Sequence, residues 1–156
     1  VRKFRGTGVI VRFIEFMDVG STNGWTKGQV VPTSEIIDFL SSEFDLTPLA
    51  RKSASDVASR WAHSDGSGEI GFISSVSQPF CGDCVRARLS SDGKFYTCLF
   101  TTMGHDMSTM IRSGRKTEDL TQSIEEVWSA RKDKYSEKRS SGVISLPRVE
   151  MSYIGG

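Results

Sequence analysis

The most specific chemistry in this sequence is carried by three cysteines, Cys81, Cys84 and Cys98, spaced Cys-x2-Cys-x13-Cys. The first pair alone is shared by many metal and redox sites. The third adds specificity, because Ser91-Asp92-Gly93 between the runs 85–90 and 94–100 is a strong hairpin signal. A hairpin returns the chain to its start, so Cys98 can approach Cys81 and Cys84. Three chemistries are open to such a set. Structural zinc takes four protein ligands, and beyond the cysteines only His63, His105 or a poorly suited Asp83 is on offer. A [4Fe–4S] cluster takes one thiolate per iron, so three cysteines leave one iron open to a substrate. Free or redox-active thiols are the third possibility, and an odd cysteine count argues against a disulfide framework. Taken singly, Cys98 between Phe95-Tyr96 and Leu99-Phe100 could equally be a small core hydrophobe. Cys81 and Cys84 flank Gly82-Asp83 instead and fit that role poorly. If all three serve one site, their sulfurs lie within about 7 Å of one another once it is formed. Before metal is bound the set is looser, since ligation and local folding are coupled.

Arg86 and Arg88 stand beside the cysteines, alternating with Val85, Ala87 and Leu89. On a strand this puts both guanidinium groups on one face, about 7 Å apart, a spacing that suits a phosphate chain or carboxylates. A solvated strand face is the ordinary alternative. The hairpin register decides where they point. A two-residue Asp92-Gly93 turn pairs Ala87 with Cys98, whereas a three-residue loop with Gly93 in the left-handed region pairs Arg86 with Cys98. The second register gathers the arginines and Cys98 on one face, off the core, and is the one expected on functional grounds. Arg12 and Glu15 interrupt an otherwise apolar strand. A charge in a buried strand needs a ligand or a structural partner, and both readings stand.

The elements that would position these residues read as follows. Val9–Met17 is β-branched and aromatic on both faces, the pattern of a strand buried in a parallel sheet. Residues 18–28 form a Gly- and polar-rich loop, the place where α/β folds keep ligand sites. Pro32-Thr33-Ser34-Glu35 starts a helix carrying Ile36, Ile37, Leu40 and Phe44. Residues 45–56 look irregular, with Pro48 as a breaker. Strands at 57–63 and 69–74 flank the turn Asp65-Gly66-Ser67-Gly68 and form a hairpin. Residues 104–112 make a short helix at best. Thr117 caps a further helix with Glu118 and Asp119 in its first turn and a stripe of Leu120, Ile124, Val127 and Trp128. Residues 131–141 are highly charged and read as an exposed helix end or linker.

The bulk properties bound the rest. The 156 residues suffice for one core, or a small core with an appended piece. A net charge of +1 supplies no global field to recruit nucleic acid or an acidic membrane, so any anion binding falls to local arginines. No apolar run reaches the roughly 18 residues needed to span a bilayer. Val1-Arg2-Lys3-Phe4-Arg5 reads like the middle of a helix, so the chain is expected to be a piece of a longer protein.

Together these segments resemble a known family. The runs Arg12–Gly20, Phe80–Leu89, Asp92-Gly93-Lys94 and Cys98-Leu99-Phe100, with the final Ile154-Gly155-Gly156, resemble the molybdenum cofactor biosynthesis protein A family. Its members are radical S-adenosylmethionine lyases, the GTP 3′,8-cyclases. The resemblance runs from about Val9 to the last residue. It implies an α/β to α+β fold: the last strand of an incomplete parallel βα barrel in residues 1–45, then a partly antiparallel C-terminal region in 46–156. It implies that Cys81, Cys84 and Cys98 hold a [4Fe–4S] cluster whose open iron binds the guanine base of GTP. Arg86 and Arg88 would contact the substrate, chiefly its phosphates, Arg12 would line the cavity, and the Gly155-Gly156 tail would reach into it. The family's N-terminal Cys-x3-Cys-x2-Cys, which binds the cluster that cleaves S-adenosylmethionine, is absent from this sequence. That second cluster, and most of the barrel, would belong to the full-length protein, which makes an N-terminal barrel half a partner. A homodimer and a bacterial cytoplasmic location are also expected, with no nucleic acid or membrane partner. A zinc- or cluster-binding module without catalytic activity is the alternative function. A cluster-bearing domain that modifies peptides is a third, against which stand the small cysteine count and the Arg-x-Arg.

Overall fold

The computed structural model describes residues 1–139 and 149–154. It divides into two compact units, one of residues 1–17 and 25–84, the other of residues 18–24 and 85 onward. The fold is mixed α/β, with a mixed sheet in the first unit and an antiparallel sheet in the second.

In the first unit, β1 (Val11–Ile14) leads through α1 (Thr33–Ser41) to β2 (Leu46–Leu49), β3 (Ser59–His63) and β4 (Glu69–Ile73). The sheet order is β1-β4-β3-β2. β1 runs parallel to β4, with Val11 opposite Ile70 and Phe13 opposite Phe72, while the other pairs are antiparallel. The expected 57–63/69–74 hairpin is therefore present as β3 and β4. The helix begins where Pro32 and Thr33 placed it. Its Leu40, together with Phe44 just beyond, packs on Ile70 and Phe72 to form the core. Burying each such side chain contributes about 1.5–3 kcal/mol. Phe13 stacks on Phe72 at 5.6 Å, and Trp61 meets the same ring edge-on.

Two expectations fail here. Residues 46–49 are a strand, although Pro48 lies in the middle of it, opposite Trp61. β2 is the outermost strand, so the missing N–H of Pro48 costs the ladder little. The strand expected to be buried on both faces is exposed on one: Ile10, Ile14 and Phe16 lie open, whereas Phe13, on the other face, packs against the core.

The second unit holds β5 (Arg88–Leu89), β6 (Lys94–Tyr96) and β7 (His105–Asp106) in that order. α2 (Ser108–Arg112), α3 (Thr117–Ala130) and α4 (Tyr135–Lys138) follow. In α3 the stripe Leu120, Ile124, Val127 and Trp128 is half-buried as its spacing required. The cap is Lys116 rather than Thr117, which is the first helical residue, and no side chain closes this end. Glu118 and Asp119 in the first turn answer the helix dipole instead. Within the charged run after α3, α4 is followed by Arg139, whose side chain is only 10% exposed.

Candidate functional site

Cys81 and Cys84 belong to the first unit and Cys98 to the second. Each is half-buried and none is in a disulfide, so all three are thiols. Cys81-Gly82-Asp83-Cys84 is a tight turn, closed by the Cys84 N–H donating to the Cys81 carbonyl at 3.3 Å. Among the described residues, no three His, Cys, Asp or Glu side chains are gathered into a group that could hold a metal ion. His63 is buried in the first unit with its ring edge-on to Phe44, and His105 is an exposed residue of β7.

The approach to the cysteine turn is built on Glu15. This residue ends the β1 segment and is 3% exposed. Its carboxylate accepts the Thr33 N–H at 2.8 Å, at the start of α1, and the N–H groups of Val76 at 2.8 Å and Ser77 at 2.7 Å. The Ser77 hydroxyl donates to it as well. Burial alone would raise the carboxyl's pKa, but these donors, led by the Ser77 hydroxyl, outweigh burial and hold it below the ordinary value. Among the described residues, Glu15 is thus a carboxylate served by dipoles rather than one half of an ion pair. Arg12, its neighbour on β1, is exposed, and its stem lies along Gly71 of β4.

A cavity of about 340 Å³ borders the same turn, lined by the loop from Arg51 to Asp56, by Phe72, and by Gln78 to Phe80 with Asp83. It is within the size range of small-molecule sites. Arg51 is committed to its own loop, donating to the carbonyls of Ala54 at 2.7 Å and Asp56 at 2.6 Å. The polar groups facing the cavity from elsewhere include Ser59, Ser74, Gln78 and Asp83.

In the second unit the hairpin takes the three-residue loop. Arg88 pairs with Tyr96 and Leu89 with Phe95. The Gly93 N–H donates to the Ser90 carbonyl, and Gly93 sits at φ +82°, the left-handed position that this bulged loop requires. This is the three-residue-loop register, but the ladder ends at Arg88 and Tyr96, and Thr97 and Cys98 lie in a bend beyond it. It also corrects an expectation. Arg88 is not off the core face, because it lies opposite buried Tyr96 and is half-buried, whereas Leu89 is 62% exposed. Arg86 is exposed.

Sequence reasoning missed a cluster of side chains near Cys98. Asp18, 2% exposed, pairs with Arg139 at 3.0 Å and accepts the Tyr135 hydroxyl at 2.7 Å. Asp18 looked like one more polar loop residue, and Arg139 like one cation in a solvated run. No local pattern distinguishes them. The C-terminal segment is also tied down. Glu150 accepts from the Ser21 N–H at 2.7 Å, the Tyr153 hydroxyl donates to Asp92 at 2.6 Å, and Ile154 is buried. The Gly155-Gly156 tail lies outside the described residues.

The family model for Molybdenum Cofactor Synthesis C matches residues 9–137. A GTP 3′,8-cyclase from Xanthomonas campestris pv. campestris is 49% identical over 156 residues, covering 100% of this chain and 45% of that protein. One from Staphylococcus epidermidis is 44% identical over 157 residues, covering 98% of this chain and 46% of that protein. One from Synechococcus sp. is 44% identical over 156 residues, covering 99% and 45%. The chain thus spans about half the length of the curated relatives it matches.

Proposed function

From the premise that this chain belongs to the Molybdenum Cofactor Synthesis C family, we propose that it is the C-terminal, substrate-binding portion of a GTP 3′,8-cyclase acting in the first step of molybdenum cofactor biosynthesis. The observation that carries this reading is the β5–β6 register. Arg88 lies opposite Tyr96 in it, and on this reading Arg86 and Arg88 face a nucleoside triphosphate beside a cluster held in part by Cys98.

The donor set fits such a cluster. Cys81, Cys84 and Cys98 are half-buried thiols, soft ligands of the kind that iron–sulfur clusters take. Their gathering about one [4Fe–4S] cluster is part of the proposal, since ligation and local folding are coupled. When bound with only three thiolates, the cluster supplies one iron as a Lewis-acid site for the guanine base. Arg86 and Arg88 bind the phosphates through charge-assisted hydrogen bonds, and Arg12 lines the cavity. The Gly155-Gly156 tail enters that cavity. Residues 1–45 end an incomplete βα barrel and residues 46–156 cover its open side. The exposed edge and apolar residues of β1 support that assignment, because they call for a neighbouring strand. S-adenosylmethionine and a second cluster belong to the barrel half, and the whole protein is a radical lyase of the bacterial cytoplasm.

The test is anaerobic reconstitution of the chain with iron and sulfide, with zinc as a competitor, followed by reductant, S-adenosylmethionine and GTP. Iron and sulfide in equal amounts, lost in Cys81→Ser, Cys84→Ser and Cys98→Ser, is the expected result. One equivalent of zinc without iron would refute it in favour of a structural module. No 5′-deoxyadenosine is expected above a no-protein control, because the chain's only three thiolates serve the substrate cluster.

A further inference from the structure

Cys98 sits between two anchors. On one side, the Thr97 hydroxyl donates to the Asp133 carboxylate. On the other, the Phe100 N–H donates to Cys98 Sγ at 3.5 Å. Phe100 is itself held from behind. Its ring stacks on Tyr135 at 4.5 Å with 18° between the planes. The Arg139 guanidinium lies 5.3 Å from the Phe100 ring centroid and 5.7 Å from that of Tyr135. Asp18 closes the arrangement, pairing with Arg139 at 3.0 Å and accepting the Tyr135 hydroxyl at 2.7 Å.

Two features set this cluster apart from ordinary packing. A buried ion pair is a poor source of net stability, because desolvating both charges offsets their attraction. In some proteins such a pair serves instead to fix one geometry. One guanidinium nitrogen of Arg139 and the hydroxyl of Tyr135 each meet one oxygen of the Asp18 carboxylate, so the Tyr135 ring, and the Phe100 ring stacked on it, are held in place. That arrangement aims the Phe100 amide at a sulfur. An amide hydrogen bonded to a ligating sulfur draws charge from it, and hydrogen bonds to the sulfurs are among the factors that set a cluster's reduction potential.

We propose that Asp18, Tyr135 and Arg139 are positioning residues for Cys98: they fix Phe100 so that its amide hydrogen-bonds the Cys98 sulfur and tunes the group bound there. The tuning rests on the cluster reading given above; the positioning does not.

The experiment uses the full chain in two forms. In the metal-free, reduced form, amide hydrogen exchange is followed by NMR for wild type, Asp18→Asn and Tyr135→Phe. Exchange at Phe100 should quicken by about fivefold, the weight of one lost hydrogen bond, while Lys94 and Phe95 of the hairpin stay unchanged. Phe100→Tyr, which keeps the ring stack, should retain slow exchange at position 100, and Phe100→Leu should not. In the iron-loaded form, both carboxylate and hydroxyl variants should bind wild-type amounts of iron at a more negative reduction potential. Unchanged Phe100 exchange in both variants overturns the positioning, and so does a rise shared by the whole unit, which marks general loosening. An unchanged potential at full iron content overturns the tuning. A wild-type chain that takes up no iron sinks the cluster reading instead, and the exchange data then decide the positioning by themselves.

Discussion

Replacing Glu15 tests how the cysteine turn is supported. Glu15→Ala removes the acceptor of three backbone N–H groups, from Thr33, Val76 and Ser77, and of the Ser77 hydroxyl. Thr33 opens α1, where the first N–H groups have no partner within the helix. A hydrogen bond to a charged acceptor contributes about 1.5–3 kcal/mol, and an orphaned buried donor costs about 1–3 kcal/mol. Some of these donors are only part-buried and regain water. About 1–1.5 kcal/mol for each of the three amides is therefore reasonable, or roughly 3–5 kcal/mol in all. That is a large share of the 5–15 kcal/mol typical of a whole domain. Glu15→Gln keeps the volume and one acceptor oxygen, and should cost about half as much. Urea unfolding followed by tryptophan fluorescence in a Trp25→Phe, Trp128→Phe background, where Trp61 packed on Phe72 is the remaining probe, reads the loss. The pH dependence follows from the lowered pKa of Glu15. In the unfolded chain the carboxyl titrates at the ordinary value, about 4.3, and in the folded chain lower. The stabilisation is complete above the unfolded value and is lost as the pH falls through the folded one. The advantage of wild type over Glu15→Gln should therefore be constant from pH 7 to about 5 and shrink below about 4. A midpoint for Glu15→Ala within about 0.5 kcal/mol of wild type, the scatter of ordinary surface changes, would refute the reasoning. So would a gap to Glu15→Gln that ignores acid.

The hairpin and the arginines give two further tests. Gly93→Ala places a Cβ 2.6 Å from the Ser108 Cβ at a φ of +82°, and should destabilise the second unit by about 2–4 kcal/mol from left-handed strain and crowding together; urea unfolding followed by far-UV circular dichroism checks it, and a neutral result would remove the bulged loop. In the complete enzyme, Arg86→Ala and Arg88→Ala should each weaken GTP binding by roughly ten- to a hundredfold, the value of one charge-assisted bond. Titration calorimetry measures this, and unchanged affinity in both variants ends the phosphate assignment. Arg88→Ala should also lower stability, because Arg88 faces buried Tyr96.

Much of this molecule is written in short-range signals. The start of α1 at Pro32 and Thr33, the β3–β4 hairpin around Asp65–Gly68, the stripe of α3 and the left-handed Gly93 all follow from periodicity and turn chemistry within a few residues. These signals act inside one element, so a sequence shows them without knowledge of the fold. The Cys-x2-Cys-x13-Cys spacing and the Arg-x-Arg were equally legible as a chemical inventory. Tertiary structure decided what each residue faces. Pro48 looked like a breaker, yet it is a strand residue because β2 is an outer strand that needs no N–H there. Arg88 looked like a surface cation, yet it shares a face with Tyr96, since which side of a two-residue strand is covered depends on what packs over it. Glu15 was recognisable as a charge out of place, but its donors at Val76 and Ser77 lie 61 and 62 residues away. Neither Asp18 nor Arg139 signalled its partner. A carboxylate in a loop and an arginine in a charged run become a buried pair only when the chain brings them together, and long-range pairing leaves no periodic trace in either segment.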